Sequence, residues 1–262
     1  MKDLIQKQLE RYQAPSAQDE ENALKEITQE IALYALAKAG VFEPVAFQGS
    51  PCLRIVPGLA SIPDDLDFAL RRPGKFDLTP YLTQAVTFMR AYGFEIEISG
   101  EERADKRIVT FKHLRHLRKK IQIKVELDVH PPELAADEVK FLDFPTDYSI
   151  LAHDMPTLMS GKVHALLCRK YVKGRDWYDF SWYVSQKVSP NLPFLTSALK
   201  QMGPWKGQAL TPDANWLAIS LSEKIQTLDW KKVVEDVAPF LPAEKKIGVG
   251  GLWAKDFFLS KV

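Results

Sequence analysis

Between Ile121 and His130 the chain alternates without a break. Ile121, Ile123, Val125, Leu127 and Val129 are apolar; Gln122, Lys124, Glu126, Asp128 and His130 are polar. Successive side chains of a strand point to opposite faces, so this stretch predicts a strand with one face in a core and the other bearing charge. Pro131-Pro132 ends it. The edge of a half-solvated sheet would show the same pattern. So would a strand whose polar face looks into a cleft, with Glu126 or Asp128 as a working carboxylate.

The stretch that bears on this choice is Phe47-Gln48-Gly49-Ser50 followed by Asp64-Asp65-Leu66-Asp67-Phe68. It reads as a short strand, a Gly-Ser turn, a helix and a second strand. Asp65 and Asp67 then share one face, while Leu66 and Phe68 point into the core. Two carboxylates so placed offer hard oxygen ligands suited to Mg²⁺. A Gly-Ser turn leading into a helix presents free backbone N–H groups to a phosphate. Asp-rich turns before strands are also common without any metal. The order of the parts, with a third carboxylate further along, favours equipment for a nucleoside triphosphate.

The 262 residues allow one large domain or two modest ones. A hydrophobic content of 46% is that of a globular chain with a proper core. The net charge of +1 supplies no global field for nucleic acid, so an RNA contact needs a local patch. Lys112, His113, Arg115, His116, Arg118, Lys119 and Lys120 are such a patch, readable as a solvated hairpin or as a phosphate-contacting loop. Cys52 and Cys168 have no CxxC arrangement and make neither a metal site nor a disulfide framework, which points to a reducing, cytoplasmic compartment. The first dozen residues lack the apolar region of a signal peptide. No run of 18 apolar residues suggests a membrane span.

Helical periodicity appears over 2–12 and 19–39, the latter with a stripe of Leu24, Ile27, Ile31, Tyr34 and Ala35 and a stop at Gly40. Strands are expected at 45–47, 66–70, 94–98, 107–112 and 121–130, with helices over 51–56 and 78–92. A short β or loop segment runs to Tyr148. From about Pro156 the pattern is helical, over 156–171, 176–186, 190–202, 212–228 and 230–241. Trp177, Trp182, Trp205 and Trp216 are expected in the core. The expected class is α+β. N-terminal helices (1–40) pack on a mixed α/β domain (41–152), and a helical domain follows (153–262).

These residues carry a family resemblance. Gly49-Ser50, fourteen residues, then Asp65-Leu66-Asp67-Phe68 resembles the first motif of the nucleotidyltransferase fold. Glu126 after Lys124-Val125 resembles that fold's third carboxylate. Lys162-Val163-His164-Ala165-Leu166-Leu167-x-Arg169-Lys170, then Lys173-Gly174-Arg175-Asp176-Trp177-Tyr178-Asp179, resembles the AbiEii/AbiGii toxin family. Those are nucleotidyltransferase-like toxins of type IV toxin–antitoxin and phage-defence systems, with the mycobacterial MenT toxins as relatives. The resemblance covers roughly residues 40–185. Ile62-Pro63-Asp64 stands where many relatives have Arg-x-Ser-x.

The resemblance implies a nucleotidyltransferase-fold mixed sheet followed by a C-terminal helical bundle. It implies NTP as substrate, Mg²⁺ as cofactor, transfer of NMP to an RNA (tRNA) acceptor, and a cognate antitoxin as partner. Asp65, Asp67 and Glu126 would be the catalytic residues and metal ligands. Gly49, Ser50, Lys162, Arg169 and Asp176 would bind the nucleotide, with Asp176 either orienting Lys162 or touching the nucleotide itself. Without the resemblance, Lys162 and Arg169 read as a solvated helix face and Asp176 as a carboxylate favoured by a helix N-terminus. Arg115, Arg118, Lys119 and Lys120 are the candidate RNA contacts. Two other readings stand beside this one: an antibiotic-type nucleotidyltransferase with a small-molecule acceptor, and a non-catalytic nucleotide- or partner-binding module. The basic loop disfavours the first, since a cationic aminoglycoside prefers an acidic cleft.

Overall fold

The computed structural model describes residues 2–59, 65–92, 94–96, 100–103, 106–111, 121–241 and 243–262. The chain forms two compact units. The first is built from the residues up to Gly58, the segment ending at Pro131, and Asp137–Ala152; the second holds Pro132–Ala136 and His153–Val262.

The first unit opens with helices α1 (Lys2–Tyr12) and α2 (Ala17–Lys38). Ser16 caps α2, its hydroxyl accepting from the Asp19 N–H at 3.2 Å. The α2 stripe Leu24, Ile27, Ile31 and Ala35 is fully buried. Gly40, at φ +80°, turns the chain out of the helix in the left-handed region that glycine enters freely. Then follow β1 (Val45–Gln48), α3 (Gly49–Ile55), β2 (Asp65–Leu70), α4 (Thr79–Ala91), β3 (Gly100–Arg103), β4 (Lys106–Phe111), β5 (Ile123–Asp128), β6 (Asp137–Leu142) and β7 (Tyr148–His153). The strands make one mixed sheet in the order β3-β4-β5-β2-β1-β7-β6. β2 runs antiparallel to β1 and parallel to β5.

Helix α2 lies on β2 and β5 and beside α4. Phe47, Leu66, Phe68, Val125 and Leu127 are at most 3% exposed. Leu66, Phe68, Val125 and Leu127 are the apolar members of alternating stretches, while Phe47 ends a run of three buried residues in β1. The sheet therefore commits one face to the core and leaves Asp65, Asp67, Glu126 and Asp128 on the other. Arg54 ties α3 to α2 by two bonds to Glu26, Nε to Oε1 at 2.9 Å and Nη2 to Oε2 at 2.7 Å. That bidentate geometry fixes the short helix as a single point charge would not.

Two expectations need correction. Of the strand expected at 94–98, Phe94 makes only an isolated bridge, and the strand proper begins at Gly100. Phe94 and Ile96 are buried, so the alternation there reports packing and not pairing; residues 97–99 lie outside the described residues. Conversely, β7 sits inside the sheet, parallel to β1 with Phe47 opposite Ala152. Its pattern runs without a gap into Asp154, the cap of the next helix, so strand and helix signals merge.

The second unit contains α5 (Met155–Cys168), α6 (Gly174–Ser185), α7 (Leu192–Gln201), α8 (Ala214–Gln226), α9 (Trp230–Val237) with a 3₁₀ turn at Ala238–Phe240, α10 (Ala243–Leu252) and α11 (Lys255–Leu259). Asp154, Asn191, Asp213 and Asp229 cap four of these helices. Each accepts from an N–H in the first turn that has no partner within the helix. Trp177 is buried, its ring 5.1 Å from Trp230 and 5.3 Å from Phe258. Trp182, Trp205 and Trp216 are only half-buried, so one of the four tryptophans expected in the core is there. Trp205 and Trp216 instead pair edge to face near the surface. Among the described residues no helix is long and apolar enough to cross a membrane.

Candidate active site

The carboxylates of the first unit are placed by strand register. Asp67 is the register partner of Glu126 across β2 and β5, and of Gln48 across β2 and β1. Paired residues of adjacent strands point the same way, about 4.8 Å apart. Asp67 and Glu126 are therefore side by side, both half-buried, on the polar face. Asp65 lies on the same face, about 7 Å further along β2, and its partner on β5 is Lys124.

Gly49 completes this corner. Its φ is +74°, and a Cβ built on it would meet Asp67 Oδ2 at 2.7 Å. Only glycine satisfies both the conformation and the contact. Gly49 and Ser50 form the first turn of α3, which opens directly from the end of β1.

Among the described residues no group of three His, Cys, Asp or Glu is gathered tightly enough to hold a metal by itself. The reason is the spacing just given: Asp65 is one strand repeat away from the Asp67–Glu126 pair. Mg²⁺ does not need a closed protein cage. It is commonly bound by one or two carboxylates, with water and substrate phosphate completing its shell. The hard oxygen donors, and the space Gly49 leaves against Asp67, fit such an ion.

The second unit contains a buried ion network. Lys162 Nζ lies 2.7 Å from Asp176 Oδ1 and 2.8 Å from Asp179 Oδ2. Arg169 Nη1 lies 3.3 Å from Asp176 Oδ2. Lys162 is 9% exposed, Asp176 2% and Asp179 0%. Burial works against the charge on Lys162, but the Asp176 and Asp179 carboxylates outweigh it and hold its pKa above the usual lysine value. Burial likewise opposes the Asp176 carboxylate, and Lys162 and Arg169 more than compensate, so its pKa lies below the usual aspartate value. Lys162 is an interior cation, not a member of a solvated helix face, and Asp176 binds it directly. The Arg169 side chain is one-third exposed.

The glycine of the Lys173-Gly174-Arg175-Asp176 run has a packing cause. A Cβ on Gly174 would collide with the Val233 carbonyl oxygen, and the Gly174 N–H donates to Asp236 Oδ2 at 2.6 Å. Backbone meets backbone where α6 begins against α9. Asp179 shares a helix face with Asp176 at i, i+3, but nothing in its spacing marks it as a partner of Lys162. Lys224 on α8, whose Nζ donates to the Arg169 carbonyl at 3.1 Å, had no local signal because it is 55 residues away. Arg115, Arg118, Lys119 and Lys120 lie outside the described residues.

A mixed sheet with a Gly-Ser turn against in-register carboxylates is the build of a nucleotidyltransferase. Residues 31–261 match the family described as nucleotidyl transferase AbiEii toxin, type IV TA system, and the chain belongs to that family. Its activity is accordingly nucleotidyl transfer. Solved structures share the fold, two of them as follows. MenT4, a nucleotidyltransferase toxin of Mycobacterium tuberculosis H37Rv, aligns over 96% of this chain and 97% of its own, at 14% identity and a TM-score of 0.58. JHP933 of Helicobacter pylori aligns over 90% and 92%, at 14% identity and a TM-score of 0.52. No curated protein matches the sequence.

Proposed function

We propose that this nucleotidyltransferase is metal-dependent and transfers NMP from an NTP to an RNA acceptor of the tRNA kind, as the toxin of a pair whose antitoxin restrains it. The observation that carries the reading is the in-register pairing of Asp67 with Glu126 beside Gly49. Asp65 and Asp67 would hold Mg²⁺, with Glu126 the third carboxylate. When bound, the ion would neutralise charge on the reacting phosphate and lower the barrier to in-line displacement. The acceptor hydroxyl attacks the α-phosphorus, its proton leaves to a base, and the bond to pyrophosphate breaks. Glu126, in register with Asp67, would either bind the ion or take that proton. The Gly49 and Ser50 N–H groups and the Ser50 hydroxyl would donate to the β- and γ-phosphates. Asp176 holds Lys162 and Arg169 in place, and the part-exposed Arg169 is the member of that group free to reach a phosphate. Positioning and charge neutralisation then carry most of the rate.

The test is incubation with Mg²⁺, total tRNA and each NTP labelled on the α-phosphate. The reading expects label in tRNA, lost with EDTA. In a parallel incubation with an aminoglycoside in place of tRNA, label on the aminoglycoside with none on RNA would replace it with the small-molecule reading.

A further inference from the structure

Within the second unit, α5, α6, α8 and the 169–173 loop enclose a pocket of about 220 Å³. Its wall carries Arg169, Lys170, Lys173 and Lys224 against one carboxylate, Asp176. Both oxygens of that carboxylate are already engaged, one by Lys162 and one by Arg169. Among the described residues that line the pocket, the remaining positive charge of the wall has no further carboxylate facing it.

Lys173 registers the excess. Burial lowers its pKa; Asp176 pulls it back up, and Arg169, Arg175 and Lys162 push it down again. A bound anion would relieve that repulsion. The volume decides how large the anion can be. It lies below the roughly 300 Å³ at which sites begin to enclose a whole small ligand. The pocket therefore takes one end of a larger molecule, a phosphate or a short run of phosphates.

At the rim stands Tyr171, 66% exposed, with the Arg169 guanidinium 5.6 Å from its ring centroid. An exposed aromatic ring beside a basic pocket is the pairing by which proteins hold nucleotides: the base stacks on the ring while cations hold the phosphate.

We propose that this pocket is a nucleotide-phosphate site, with Lys173, Lys224 and Arg169 holding phosphate and Tyr171 receiving the base. It rests on the nucleotidyltransferase reading and adds Lys173, Lys224 and Tyr171 to the groups that serve it. Two sources present this chemistry, the triphosphate of the incoming NTP and the backbone of an RNA acceptor.

The experiment is titration calorimetry on the full chain in EDTA with three probes: inorganic tripolyphosphate, an NTP, and an eight-residue oligoribonucleotide with a 5′-hydroxyl. Lys173→Ala and Lys224→Gln should each weaken binding about tenfold, the worth of one charge-assisted hydrogen bond. Lys224→Arg, which keeps the charge that also binds the Arg169 carbonyl, should bind as wild type does. Loss confined to tripolyphosphate and NTP names the incoming nucleotide as the source. Loss confined to the oligoribonucleotide, with its salt slope reduced by about 0.7 per lost phosphate contact, names the acceptor. Tyr171→Ala, at an exposed position, should weaken NTP or oligoribonucleotide and leave tripolyphosphate unchanged. Wild-type affinity in both lysine variants, or no binding of any probe to wild type, overturns the proposal.

Asp67→Ala run alongside separates the two readings. If no NMP is transferred by wild type yet Lys173 and Lys224 govern binding, the pocket stands and the functional reading falls. If wild type transfers NMP and Asp67→Ala does not, while both lysine variants bind normally, the reading stands and the pocket falls.

Discussion

Gly49 and Asp67 are in such close approach that a single methyl group on Gly49 would stand 2.7 Å from Asp67 Oδ2. The contact joins the turn after β1 to the carboxylate of β2. It explains why the chain places glycine there, and it makes the turn and the carboxylate one unit.

Gly49→Ala should therefore do two things. Forcing alanine to φ +74° costs about 1–2 kcal/mol, seen as a lower midpoint in thermal or denaturant unfolding. The new methyl also displaces the Asp67 carboxylate, so NMP transfer should fall far more than this loss of stability explains. A variant with normal transfer would show that the close approach has no part in the chemistry.

Lys162→Ala leaves two buried carboxylates, Asp176 and Asp179, without the cation between them. Removing one partner of a buried pair costs about 3–5 kcal/mol. The pH dependence has two flanks. Asp176 has a folded pKa below the unfolded value, so its contribution is complete above about pH 4 and is lost as pH falls through the folded value. Lys162 has a folded pKa above the unfolded value, so its contribution is complete below about pH 10 and is lost as pH rises through the folded value. The stability difference between wild type and Lys162→Ala, measured in denaturant, should be widest between those limits and narrow on both sides. A difference under 1 kcal/mol at neutral pH would return Lys162 to the solvated face.

Much of this architecture was readable in the chain. The alternation from Ile121 and the Asp65/Asp67 spacing located β5, β2 and the carboxylate face, because a period of two is a direct image of strand geometry. Helices α5 to α9 were readable from apolar periodicity, whereas α10 and α11 lie beyond the last helical stretch expected, which ended at residue 241. Four features were not readable. β7 was hidden by the helix that follows it at once. The Lys162–Asp179 contact and the Lys224 side of the pocket depend on how helices distant in sequence pack, which periodicity does not encode. The Glu26–Arg54 pair, joining α2 to α3, was invisible for the same reason.

Glu30 on α2 gives an independent test of the packing in the first unit. Burial, then the nearby Glu26 charge, pushes its pKa up to about 8; Arg54 opposes this and Asp143 adds to it. Tyr12 and Tyr148 also face it, and Glu30 Oε2 and the Tyr148 hydroxyl are buried without a hydrogen bond among the described residues. The folded state keeps a proton that the unfolded state loses above about pH 4.5. Stability from this group therefore declines as pH rises from about 4.5 through about 8. Glu30→Gln should remove that decline and be more stable than wild type above pH 8. Parallel melting curves for the two proteins from pH 5 to 9 would contradict the burial of Glu30.

The central claim is that the polar face of β2 and β5 performs the transfer. The most direct measurement compares the rate of NMP transfer to tRNA for wild type, Asp67→Asn and Glu126→Gln, each first shown to unfold at the same temperature within a few degrees. Both variants should lose about 10²-fold or more, the scale on which removal of one charge-stabilising group acts. If both folded variants transfer NMP within a factor of about two of wild type, the catalytic carboxylates lie elsewhere and the account is wrong.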